Sequence, residues 1–252
     1  MIGKKIVELA SIDSSNAFAN KLLSEHNAAD GDVVWAHEQF AGRGQHDHTW
    51  ESESGRNLTF TVILRPAFLP PDRQFLLTEA VSLALVDFVR DALRSYETLC
   101  PPVLVKWPND IYVGNHKIGG ILIEHKIMGS TIDSSIVGIG LNINQGNFHP
   151  GLPNPISLIH ILERETDLKD ALILICRLLD NRYTALRESG AAGIDREFSQ
   201  NLLGFNQWRD FTRDGAKFEG KIEGVGGLGN LVIETRSGEV VSFNHGEVEF
   251  LF

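Results

Sequence analysis

The chain has 252 residues, a formal net charge of −10, 42% hydrophobic residues and two cysteines. The length suits one large domain with a small appendage, and the acidic balance speaks against a broad nucleic-acid-binding surface, which leaves a basic footprint. Cys100 and Cys176 are too far apart in sequence for a metal-ligand pair and make no disulfide framework; with no signal-peptide pattern and no run of about 18 apolar residues, a reducing, cytoplasmic setting without membrane contact is expected.

Ser14 and Ser15 stand before "NAFANKLLSE" as N-cap candidates, so a short helix is expected there. "DVVWAHEQF" reads as a strand that runs into a polar, glycine-flanked loop, "FAGRGQHDHTWES". This is taken as the first strand, about thirty residues in, which leaves no helical DNA-reading module ahead of the sheet. "NLTFTVILRP" alternates and is rich in β-branched and aromatic residues, so it is a second strand, stopped by Pro66. Leu77, Ala80, Ala84, Phe88 and Ala92 recur at helical spacing and mark a long amphipathic helix. Three β-like runs follow, "PVLVKWPNDIYVG", "HKIGGILIEHKIM" and "DSSIVGIGLNIN", with turn residues between them. Such short links imply antiparallel pairing, because a parallel crossover needs a dozen or more residues. Leu168, Leu172, Ile175, Leu179, Tyr183 and Leu186 predict a second long helix.

From about Gln207 the texture changes to short strands separated by glycines, with a hairpin turn expected at Ser237-Gly238. The expected fold is α+β. Residues 1–206 form a mixed, largely antiparallel sheet with helices packed on one face, and residues 207–252 form a small β-barrel.

Taken singly, the polar segments are ambiguous. A glycine-flanked arginine is more often a surface turn than a phosphate site, although glycines let a backbone approach an anion. Lys106 beside Trp107 suits an exposed lysine lying over an indole. "WPND" suits a plain turn, and Lys117 before two glycines suits a hairpin end. Asn142 is harder to dismiss, because an amide inside an apolar strand must find partners. Together, Arg43, Lys106 and Lys117 place cations beside glycine, tryptophan or proline in an acidic chain. Cations converging on one sheet face suit a polyphosphate or an adenylate.

In order and spacing, "AGRGxxxxxW", "KWPNDI", "KIGGILIE" and "GIGLNIN" resemble the biotin protein ligases. The resemblance spans nearly the whole chain, through "GEVEF", with Ser14-Ser15-Asn16 matching a Ser-Thr-Asn segment. It implies a catalytic domain like that of class II aminoacyl-tRNA synthetases and a C-terminal SH3-like barrel. It also implies a two-step reaction. Biotin and Mg-ATP give biotinyl-5′-adenylate and pyrophosphate, and a lysine of a biotin carboxyl carrier domain then displaces AMP. The substrates and cofactors implied are biotin, ATP and Mg²⁺, with no resident metal site.

Carried over by position, Ser14, Ser15 and Gln39 line the ureido end of a biotin pocket. Gly42 and Arg43 begin a loop that folds over biotin, and Trp50 ends it against the ligand. Lys117 meets the carboxylate and the phosphate, with Gly119 and Gly120 keeping the floor low. Arg43, Gln45, Trp50, Lys106, Asn109, Asp110, Lys117 and Asn142 are the expected adenylate contacts. Arg43, Lys117 and Asp110 are the expected catalytic residues, Asp110 positioning the incoming ammonium of the acceptor lysine.

The loop departs from the family's Gly-Arg-Gly-Arg-Arg-Gly. Gln45, His46, Asp47 and His48 lower its positive charge, so weaker adenylate retention is expected. Asp47 as a helper in placing Mg²⁺, or as a simple turn residue, is the alternative. A zinc site at His46 and His48 lacks further ligands nearby. The rival functions are a lipoate or octanoate ligase or transferase, a catalytically weakened relative that binds the adenylate, and a DNA-binding repressor, which the charge disfavours. An exposed sheet edge could support a homodimer.

Overall fold

The computed structural model describes residues 1–45, 49–94 and 101–251. Strands β1 (Ile6–Leu9), β2 (Val33–Ala36), β3 (Leu58–Leu64), β4 (Val103–Lys106), β5 (Asp110–Val113), β6 (His116–Met128) and β7 (Thr131–Leu141) form a seven-stranded sheet in the order β1-β2-β3-β7-β6-β5-β4. Every pairing is antiparallel except β1 with β2. That parallel pair is joined through helix α1 (Ser15–Ser24), the crossover such a pair requires.

β1 corrects the expectation that the sheet begins about thirty residues in. "IVEL" is four residues long, and its pattern is too short to register as a strand. It is stabilised by its partner β2, with Ile6 opposite Val33 and Leu9 opposite Ala36. "PVLVKWPNDIYVG" is likewise two strands, β4 and β5, folded back on each other so that Lys106 lies opposite Asp110. Pro108 offers no N–H to a ladder, and the Trp107–Asn109 turn separates the strands.

Helices α2 (Phe75–Leu93) and α4 (Leu168–Ser189) pack against each other over one sheet face. Strand residues Phe60, Val62, Val137 and Ile139 share their core with Leu77, Ala84 and Leu172 from these helices. The intervening residues of the same strands turn the other way, as a period of two demands. There Val34, Ile63 and Ile136 are covered by Ala19, Phe18 and Leu22 of α1. The short α1 thus covers only part of that face, and the uncovered part becomes the site described below.

Helices α3 (Leu158–Leu162) and α5 (Ala192–Gln200) lead to a second, five-stranded antiparallel sheet. Its strands are β8 (Trp208–Arg213), β9 (Ala216–Val225), β10 (Leu231–Thr235), β11 (Val240–Phe243) and β12 (Glu249–Phe250), in the order β11-β10-β9-β8-β12. Phe211, Phe218 and Phe243 stack along its inner side. The expected turn is present, with Gly238 at φ +82° and its N–H bonded to the Thr235 carbonyl. Ile222, Leu231 and Phe243 of this sheet belong to the same continuous core as Phe60 and Leu77 of the first.

Candidate active site

The uncovered part of the sheet carries unusually small side chains. Across β3, β7 and β6, Thr59 faces Gly140, which faces Gly120, and Thr61 faces Gly138, which faces Leu122. A Cβ at Gly138 would collide with the Asn16 side chain, and one at Gly140 would collide with the Trp50 indole. The glycines therefore lower the floor so that other side chains lie flat upon it. Above them is a cavity of about 390 Å³, large enough for a small organic ligand.

At the α1 end, the Thr61 hydroxyl lies 2.7 Å from both Ser15 Oγ and Asn16 Oδ1. It has one proton to donate, and the Ser15 hydroxyl can supply the second bond. Gln39 accepts the Ser15 backbone N–H at 2.7 Å. This amide is one of those a helix start leaves open. Ser14 occupies the N-cap position, yet its side chain makes no capping bond, so Gln39 takes over part of that task.

Asn16 Nδ2 donates to Glu124 Oε2 at 3.0 Å, and Arg43 Nη1 lies 3.1 Å from Glu124 Oε1. At the other end, Lys117 Nζ lies 2.7 Å from Asp110 Oδ1 and 5.8 Å from the centre of the Trp50 ring. The Trp50 indole N–H is buried without a hydrogen-bond partner among the described residues. Asn109 donates its amide to the Ile121 carbonyl, which holds the 107–109 turn against β6.

Of the residues expected at a site, Ser14, Ser15, Gln39, Arg43, Gln45, Trp50, Asn109, Asp110, Lys117, Gly120 and Asn142 line this cavity. Gly42, Gly119 and Lys106 do not. Gly42 accepts the Trp50 N–H at 3.0 Å and closes the base of the loop. A Cβ at Gly119 would meet the Leu141 side chain at 2.7 Å, so that position faces away from the floor, as strand alternation requires. Lys106 directs its ammonium toward the Tyr112 and Phe250 rings, 5.7 Å from each centre. Burial pushes its pKa down, Asp110 opposes that, and Lys117 adds repulsion. Asn142 bonds the Ile156 carbonyl through its side chain and Leu158 N–H through its own carbonyl, securing the segment that carries Pro153 and Pro155 of the wall. His46, Asp47 and His48 lie outside the described residues.

Sequence reasoning passed over Asn16, Thr61, Glu124 and His245. Asn16 and Glu124 stand inside the quoted motifs, but nothing in a linear pattern shows that they meet across the sheet. His245 reaches the cavity from the second sheet. No group of three His, Cys, Asp or Glu side chains among the described residues gathers as for a metal ion, and no helix among them is long and apolar enough to cross a membrane.

Residues 8–142 match the model of the biotin/lipoate A/B protein ligase family. The chain is 30% identical over 242 residues to a bifunctional ligase/repressor of Bacillus spizizenii, covering 94% of this chain and 72% of that one. It is 29% identical over 243 residues to a biotin–[acetyl-CoA-carboxylase] ligase of Paracoccus denitrificans, covering 92% and 95%. The fold superposes on a biotin protein ligase of Aquifex aeolicus solved in complex with biotin and ATP, with a TM-score of 0.80, 23% identity and coverage of 98% and 99%. With its glycine-floored cavity and with the family's motifs around it, the chain belongs to the biotin/lipoate A/B protein ligase family.

Proposed function

We propose that this chain is an ATP-dependent, AMP-forming biotin–protein ligase. The observation that carries the reading is the Lys117–Asp110 pair at one end of a cavity whose other end is lined by Ser15, Asn16 and Gln39. A hydrogen-bonding polar end suits a ureido ring, and an end that holds a fixed ammonium suits a carboxylate meeting a phosphate. The similar ligase of Paracoccus denitrificans and the Aquifex aeolicus structure with biotin and ATP support the same substrates.

In the first step the biotin carboxylate attacks the α-phosphorus of ATP, and pyrophosphate leaves. The obstacle is repulsion between anions, and Lys117 offsets it. Mg²⁺ arrives as part of the Mg-ATP substrate. In the second step the ε-amine of a lysine on a biotin carboxyl carrier domain attacks the acyl carbon, and AMP leaves. That lysine has a reference pKa of about 10.4 and must lose a proton first. Asp110 is the group we assign to orienting its ammonium. Residues 1–206 would act as the catalytic unit and 207–252 as the appended sheet, without specific DNA as a partner. A homodimer through a sheet edge and a cytoplasmic setting fit the same reading.

The test is mass spectrometry of a carrier-domain lysine after incubation with the chain, biotin, ATP and Mg²⁺. A biotinyl adduct that depends on ATP is expected. An adduct formed from lipoate or octanoate but not from biotin would transfer the reading to the other branch of the family.

A further inference from the structure

Glu124 has no part in the chemistry above, yet both of its oxygens are engaged at the cavity. Oε1 lies 3.1 Å from Arg43 Nη1, and Oε2 accepts from Asn16 Nδ2 at 3.0 Å. Asn16 is fixed in turn. It is buried, lies against the floor at Gly138, and its Oδ1 is 2.7 Å from the Thr61 hydroxyl. The orientation of the carboxylate is therefore set by α1 and β3, and the carboxylate sets the place of the Arg43 guanidinium.

Arg43 is bridged by its backbone to Thr49, and the next residue, Trp50, donates its N–H to Gly42. The Trp50 indole lies over Gly120 and Gly140. What holds Arg43 thus also holds the indole down on the floor. Glu124 stands four positions along β6 from Gly120, about 13 Å at the rise of a strand. The ion pair consequently sits toward the α1 end, away from Lys117 and Asp110.

We infer that Glu124 is a positioning residue. Its pair with Arg43 is a clasp that fastens residues 42–43 and, through them, 49–50 at the α1 end of the cavity, and so keeps Trp50 over biotin and its adenylate. This inference rests on the ligase reading for its ligand, but the clasp itself also exists without one. The side chains are partly exposed, 53% for Arg43 and 31% for Glu124, so salt weakens the clasp.

The experiment uses the full chain as parent, Glu124→Gln, Arg43→Gln and the double variant. Glu124→Gln keeps an oxygen for Asn16 while removing the charge. Arg43→Gln breaks the same pair from its exposed side, so the test does not depend on how one variant folds. In each single variant, labelled biotinyl-adenylate should leave roughly two to five times faster, and the double variant should add little further. The KM for biotin should move more than kcat for pyrophosphate release, and release from the parent should accelerate with salt. Parent-like release from Glu124→Gln, or single effects that simply add in the double variant, would overturn the clasp. Hydrogen exchange at the Trp50 amide without ligand separates the two readings. If the parent forms no adenylate, the ligase reading falls, while faster exchange in Glu124→Gln still supports the clasp and unchanged exchange rejects it.

Discussion

Lys117 and Asp110 are held 2.7 Å apart on neighbouring strands, each stem fixed by its backbone ladder. A cation placed before the substrates arrive need not reorganise when charge develops, which is where such groups gain their effect. Lys117→Ala should lower the rate of pyrophosphate release by about 10²–10³ while the melting curve stays near the parent's; release at the parent rate would remove Lys117 from the chemistry. Gly140 tests the floor itself. Its added methyl in Gly140→Ala would run into the Trp50 indole, and overpacking of this kind costs about 1–3 kcal/mol. Weaker biotin binding and a shifted tryptophan emission are expected, both measurable in one fluorescence titration. At this scale the motifs were informative where a contact is local, as for the Lys117–Asp110 pair, whose members are seven residues apart in sequence. They were silent on Asn16 and Glu124, whose contact joins positions 108 residues apart. Lys106 lies opposite Asp110, yet its ammonium turns toward the Tyr112 and Phe250 rings, a direction that no linear pattern reveals.

Among the elements, the long ones were readable, as were α1, β2 and the short strands after Gln207, but β1, α3 and α5 were not. α2 and α4 bury enough apolar side chains to leave a clear period in the sequence. β1 and α5 take their stability from neighbours, and local pattern says little about them. The contact of α2 with α5 holds a feature no pattern could have flagged. Glu79 of α2 is buried, its Oε2 has no hydrogen-bond partner among the described residues, and it shares a hydrogen bond with Asp195 of α5. Burial, then the hydrogen bond and the charge of Asp195, push its pKa up from 4.5 to about 9, against the opposing pull of Arg73. Folded Glu79 thus keeps a proton that the unfolded chain releases above 4.5. Its contribution is fully present below that value and is lost as pH rises through about 9. Glu79→Gln, which stays neutral, should therefore raise Tm relative to the parent by more at about pH 8 than at about pH 5. Thermal melts at both values check the sign, and a Tm difference independent of pH would show that Glu79 is ionised in the fold.

For the molecule as a whole, the acidic balance and the small basic centre predict a protein that takes up biotin without gripping DNA. A gel shift with adenylate present should show no sequence-specific, salt-sensitive retention. The change of texture near Gln207 was visible from its glycines and short strands, and the second sheet does begin at Trp208. What the change of texture concealed is how closely the two sheets are joined. The Trp107 indole N–H donates to the Gly229 carbonyl at 2.9 Å, Phe75 meets Phe198 edge-on beneath the second sheet, and one hydrophobic core runs through both. Separate domains with separate cores melt in separate steps, whereas a shared core makes each part the other's solvent shield. In a scanning calorimeter the chain should absorb its heat in one peak, with van't Hoff and calorimetric enthalpies that agree. Two resolved peaks would mean that the sheets only touch. A single peak would mean that heat-induced loss of the second sheet and closure of the catalytic function are the same event, so that activity and fold fade at one temperature.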